Sequence, residues 1–105
     1  MSTQIISKRD QRIAMYRQSV FDYGFLVLCM LIDHFSDDED YEESGLVKSI
    51  LEDINEELKL DYPTKYGDEA FEYYENLLMT LQGNVPVNYK DTCRRNMFRV
   101  LKSLP

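Results

Sequence analysis

The feature that most constrains this chain is an unbroken run of eight apolar residues, Phe25 to Ile32 (FLVLCMLI), bounded by Asp22 and Asp33. A segment that is apolar on every side has to be surrounded by other elements, so the fold must be built around it. Periodicity alone does not separate a buried helix from a buried strand over so short a run. The upstream spacing favours a helix, with Ile13, Tyr16 and Val20 on one stripe and Arg9, Arg12 and Gln18 off it. The Leu and Met content points the same way. The pattern predicts one long helix over 8–35, amphipathic in its first half and the central post of the fold in its second. Gly24 inside it costs about 1 kcal/mol relative to Ala and marks close packing or a bend. The apolar run is far short of the ~20 residues a membrane span needs. The opening MSTQIISKRDQR also lacks the basic-then-apolar layout of a secretory signal. No membrane association is expected, and the expected location is cytoplasmic.

Three further helices follow from 3.6-residue spacing. The clearest covers 46–60, with Leu46, Val47, Ile50, Leu51, Ile54 and Leu58 on one face. Pro63 disfavours helical geometry at Tyr62 and ends it. Upstream, Ser36 and Glu39 have the spacing of a capping box, so SDDEDYEESG is an acidic loop or a helix opening; Gly45 sets the firm start near Leu46. A third helix over 68–82 begins at Asp68, a good N-cap residue. It carries Ala70, Phe71, Tyr74, Leu77, Leu78 and Leu81 inward and ends at Gly83 in a left-handed cap. A fourth over 89–104 follows Asn88 and buries Cys93, Met97, Val100, Leu101 and Leu104. Short connections predict an up-down arrangement with antiparallel neighbours. The expected fold is all-α: a four-helix bundle-like single domain over 1–105 with a central hydrophobic first helix. A chain of this length buries roughly two-thirds of its unfolded surface and needs no staples. Cys29 and Cys93 read as free, buried thiols.

The charge is segregated. Between Asp33 and Asn76 stand 16 acidic and 3 basic residues, a net −13. The flanks hold 9 basic and 3 acidic residues, a net +6, which brings the chain to −7.

None of the chemistry-bearing patterns reaches an enzyme signature. The run Asp37, Asp38, Glu39, Asp40, Glu42, Glu43 lacks the sixth-position Gly and twelfth-position Glu of a calcium loop, so no metal is expected. His34 is the only histidine. A Cys–His pair needs thiolate and imidazole together, whereas positions 29 and 34 face different sides of a helix; a helix C-terminus explains a cationic His34. Glu52 with Glu56, and Glu69 with Glu72, share helical faces, but no Glu-x-x-His accompanies them as a di-iron bundle requires. Phosphate loops, GxSxG and HExxH are absent from the sequence. No cofactor is expected, and the chain reads as not an enzyme.

Arg95, Arg99 and Lys102 form an i, i+4, i+7 stripe suited to phosphates, and Lys8, Arg9 and Arg12 lie at the other end of the chain. A domain charge of −7 opposes polyanions, so direct nucleic-acid binding is disfavoured, and pairing with acidic helices is the simpler use of those cations. The acidic middle carries Tyr41, Tyr62, Tyr66, Tyr73 and Tyr74. Tyrosines are enriched at interface hot spots, and dense carboxylates steer a basic partner; solubility alone accounts for part of the same signal. The expected partner-binding residues are Asp37, Asp38, Glu39, Asp40, Tyr41, Glu42, Glu43, Glu52, Glu56, Tyr62, Tyr66 and Tyr73.

A small, acidic, helical chain with tyrosines near a Pro-containing turn resembles the colicin immunity proteins. The shared detail is Tyr62-Pro63 followed by acidic residues, and no site residue is carried over from that family. The resemblance implies an immunity- or antitoxin-type inhibitor that covers the basic surface of a partner such as a nuclease toxin. A second expectation is a phage-encoded DNA mimic of the anti-restriction or anti-CRISPR kind, with Asp37 to Glu43, Glu52, Glu56 and Glu57 in place of phosphates. A third is a structural or assembly subunit, a homo-oligomer whose acidic and basic faces pair between copies.

Overall fold

The computed structural model describes residues 7–59 and 67–105, and every element in them is an α-helix: α1 (Lys8–Tyr23), α2 (Phe25–Asp37), α3 (Tyr41–Glu57), α4 (Gly67–Gln82) and α5 (Tyr89–Ser103). The all-α expectation holds. The four-helix count does not, because the long first helix is two. Gly24 adopts φ +97, ψ 172, a backbone region essentially reserved for glycine. Its N–H closes α1 on the Val20 carbonyl at 2.8 Å, and α2 restarts in a new direction. The bend expected at Gly24 is therefore a full break. Close packing is not its cause, since a Cβ built there meets nothing within 4 Å.

α2 is the post that its composition demands. Leu26, Val27, Leu28, Cys29, Met30, Leu31 and Ile32 are all buried. α1, α3, α4 and α5 each pack on α2. α3 contributes Val47, Ile50, Leu51 and Ile54, α4 contributes Ala70 and Tyr74, and α5 contributes Cys93, Met97 and Val100. Two expected core positions, Leu58 and Leu81, are exposed instead. Each sits at the end of its helix, past the reach of α2. Both cysteines are free and buried.

The second expected helix also starts and stops elsewhere. α3 begins at Tyr41, with Gly45 inside it, and ends at Glu57. The box between Ser36 and Glu39 does not form. Ser36 lies in the last turn of α2, and Asp40 caps α3 by accepting the Glu43 N–H at 3.3 Å. The sequence offers the same spacing twice, and tertiary contact selects the second: Ser44, buried at the α2–α3 seam, donates to the Ile32 carbonyl at 3.0 Å and lies 2.7 Å from the Ser36 hydroxyl. α4 starts one residue before Asp68, which is therefore in its first turn. Gly83 (φ +81) ends α4 in the expected left-handed conformation. Asn88 precedes α5 without a side-chain capping bond.

Candidate functional site

The acidic run that stood out in the sequence is the corner between α2 and α3. The Glu39 N–H reaches the Ser36 carbonyl at 3.0 Å and the Asp40 N–H reaches the Phe35 carbonyl at 2.8 Å. Together with a left-handed Glu39 (φ +61), these are the paired bonds of a Schellman cap. Asp40 is at once the last residue of that cap and the N-cap of α3. With Ser44 bonded to α2, the turn is a tight, hydrogen-bonded corner from which the carboxylates project.

Asp37, Asp38, Glu39, Asp40, Tyr41 and Glu42 are all exposed there, with Tyr41 at 68% of its full exposure. Asp38 Oδ2 lies 3.5 Å from His34 Nε2. Glu52 and Glu56 are exposed one turn apart on the outer face of α3. Tyr73 is not brought to this surface. It is half-buried on α4, in edge-to-face contact with Tyr74 at 5.1 Å, packed against the core. Tyr62 and Tyr66, with the Tyr62-Pro63 pair, lie outside the described residues.

Glu43 has a different role from its neighbours. Its Oε1 accepts the Tyr16 hydroxyl at 2.7 Å and Arg12 Nε at 2.9 Å. Tyr16 is fully buried. Burial, and then the bond to Glu43, push the Tyr16 phenol well above its usual titration range. Arg12 is held even more firmly protonated by the same carboxylate. A second pair, Arg17 with Glu57 at 2.6 Å, ties α1 to α3 further along. Between these ties runs a groove of about 460 Å³, edged by Arg9, Arg12, Glu42 and Asp53 and floored by Ile13 and Ile50. α1 thus spends two of its cations on the acidic helix beside it. Sequence reasoning anticipated that basic faces pair with the acidic helices but not which residues do so, because 31 and 40 residues separate the partners.

His34 sits in the last turn of α2, edge-on to Phe35 and to Phe98, while Cys29 is deep in the core. Among the described residues no group of three or more His, Cys, Asp or Glu side chains is placed to hold a metal ion, and no helix is long and apolar enough to cross a membrane.

The arrangement is a tight, hydrogen-bonded, densely anionic corner with one exposed aromatic ring among its carboxylates. No known protein family matches the chain, and no characterised protein or solved structure gives a significant match.

Proposed function

We propose that this protein is a non-enzymatic inhibitor of the immunity or antitoxin type, which neutralises a protein partner by covering a basic surface with the α2–α3 corner. One observation carries the reading: Glu39 occupies a left-handed position (φ +61) where glycine is the low-cost residue. A carboxylate stands there at a conformational cost, beside four exposed acidic neighbours, Asp37, Asp38, Asp40 and Glu42, and Tyr41. Strained, solvent-facing positions concentrate at functional surfaces, and dense carboxylates steer and orient a cationic face. A nuclease toxin, whose substrate-binding surface is cationic, is the kind of partner this chemistry fits.

The test is capture of the partner by the tagged protein at low ionic strength, repeated with Asp37→Asn, Asp38→Asn, Glu39→Gln and Glu42→Gln combined. Asp40 and Glu43 are left intact because they hold the cap and the α1–α3 network. The expected result is a basic protein bound by the wild type, inhibited at stoichiometric ratio and released by the neutralised variant. Retention of the partner by that variant sinks the assignment. Displacement of the bound inhibitor by DNA or RNA, in a salt-sensitive manner, would favour nucleic-acid mimicry over cover of a separate surface.

A further inference from the structure

The cations of the two flanking segments have different fates. Arg12 and Arg17 of α1 are paired with α3. The five cations of α5 are not: among the described residues, none of Lys90, Arg94, Arg95, Arg99 and Lys102 lies within ion-pair distance of a carboxylate. Arg95 Nε makes only a 3.4 Å bond to the Asp91 carbonyl of its own helix, and Lys90 sits over the Phe71 ring at 5.1 Å. In the middle of this face stands Phe98, 48% exposed. Arg95, Phe98, Arg99 and Lys102 line one shallow depression.

We infer that this face of α5 is a second docking surface, and that its occupant is a short acidic helical segment of another protein. The argument is charge complementarity combined with shape. Arg95, Arg99 and Lys102 repeat at i, i+4 and i+7, a stripe about 10 Å long at 1.5 Å per residue. A partner helix with carboxylates at the same spacing meets it in register, and the Arg guanidiniums offer those carboxylates a two-pronged geometry. Phe98, flanked by Arg residues, has the composition of an interface centre.

The stripe is also bounded. Asp91 stands at its start, and Asp33 and Asp37 line the adjoining depression with Phe98 and Arg94. A polynucleotide continuing past about 10 Å would run into these acids, whereas a short peptide would not. A bilayer is a poor fit because the apolar face of α5 (Cys93, Met97, Val100) is already buried in the core. A second copy is also a poor fit. On the outer face of α3 the stripe Glu52, Glu56 continues at Lys59, which breaks the match.

The surface can be tested directly by fluorescence anisotropy with a labelled helical peptide bearing glutamates at i, i+4 and i+7, alongside its glutamine counterpart and a single-stranded oligothymidylate. Saturable binding of the glutamate peptide is expected, weakened by salt and absent for the glutamine version. Arg95→Glu with Arg99→Glu should weaken it about tenfold or more, and Phe98→Ala by several fold. Lys102→Glu, a single exposed change, serves as the second variant if the double one unfolds. Glu52→Gln with Glu56→Gln, on the outer face of α3, should leave peptide affinity essentially unchanged, which ties the binding to α5. Preferential binding of the oligothymidylate, salt-dependent self-association through the same residues, or no saturable peptide binding would each overturn the inference.

Discussion

The Tyr16 hydroxyl and the Glu43 carboxylate, 27 residues apart, share a 2.7 Å hydrogen bond that joins the first helix to the third, and Arg12 closes on the same oxygen from the solvent side. The bond is made by a phenol with no exposure at all, so removing the acceptor strands a buried donor. Glu43→Ala is expected to cost about 2 kcal/mol or more, because the unpaired hydroxyl carries its desolvation penalty. Tyr16→Phe leaves Glu43 with Arg12 and should cost about 1 kcal/mol. Arg17→Ala, in a pair whose side chains are 36% and 56% exposed, should change stability by less than about 1 kcal/mol. Urea denaturation of the three variants gives this order, or rejects the network as the seam between the helices.

Alkaline pH should unfold the protein through the same residues. Burial raises the Tyr16 phenol, the Tyr89 phenol and the Cys93 thiol above their ordinary values, with Glu43 adding to the first and Cys93 adding to the second. A group whose folded value is raised keeps its proton in the native state after the unfolded chain has lost it. Its stabilisation is complete below the unfolded value and declines as pH climbs above it. The decline should begin above about 8.5 for the thiol and steepen above about 10 for the phenols. Urea midpoints measured from neutral to strongly alkaline pH should fall in that window. The fall should be shallower in Tyr16→Phe and in Cys93→Ala, and an unchanged slope would remove these groups as its cause.

Two glycines should respond to the same substitution with opposite signs. Gly24→Ala places a Cβ at φ +97 and should cost about 1–3 kcal/mol. Gly45 lies inside α3 with ordinary helical backbone, and a Cβ there meets nothing within 4 Å. Gly45→Ala should therefore stabilise by about 0.5–1 kcal/mol. Gly45 also lines the groove between α1 and α3, where the added methyl has open space, so the two thermal midpoints read the backbone.

These residues show what the sequence could and could not convey. The core post was legible because a run apolar on all sides leaves one placement, and α2 is buried from Leu26 to Ile32. The break at Gly24 was only half legible: a glycine in a helical pattern fits both a tolerated defect and a stop, and its dihedrals decide. Near the start of α3, Gly45 set the expected boundary at Leu46, yet the bonds of Ser44 to α2 extend the helix across the glycine. Concentration of acid at the α2–α3 corner was visible in composition. The withdrawal of Glu43 and Glu57 into pairs with α1 was not, since it depends on which helices become neighbours. For the same reason the cations of α1 and α5 looked alike in the sequence and differ in the fold.

Glu39 offers the most direct separation of stability from function. Its left-handed backbone costs roughly 1 kcal/mol relative to glycine, which has no Cβ to clash. Glu39→Gly should therefore stabilise the protein only slightly, by up to about 0.5 kcal/mol, because the extra entropy of a glycine in the unfolded chain offsets much of that gain. Glu39→Gln keeps the strain and removes only the charge, and should leave stability within about 0.5 kcal/mol. If the corner engages a basic partner, both variants bind it more weakly at low ionic strength, although one is more stable than the wild type and the other is not. Equal binding by all three proteins would leave the strained carboxylate without a role at this surface. A loss of affinity that tracked stability instead of charge would place the effect in the backbone of the Schellman cap.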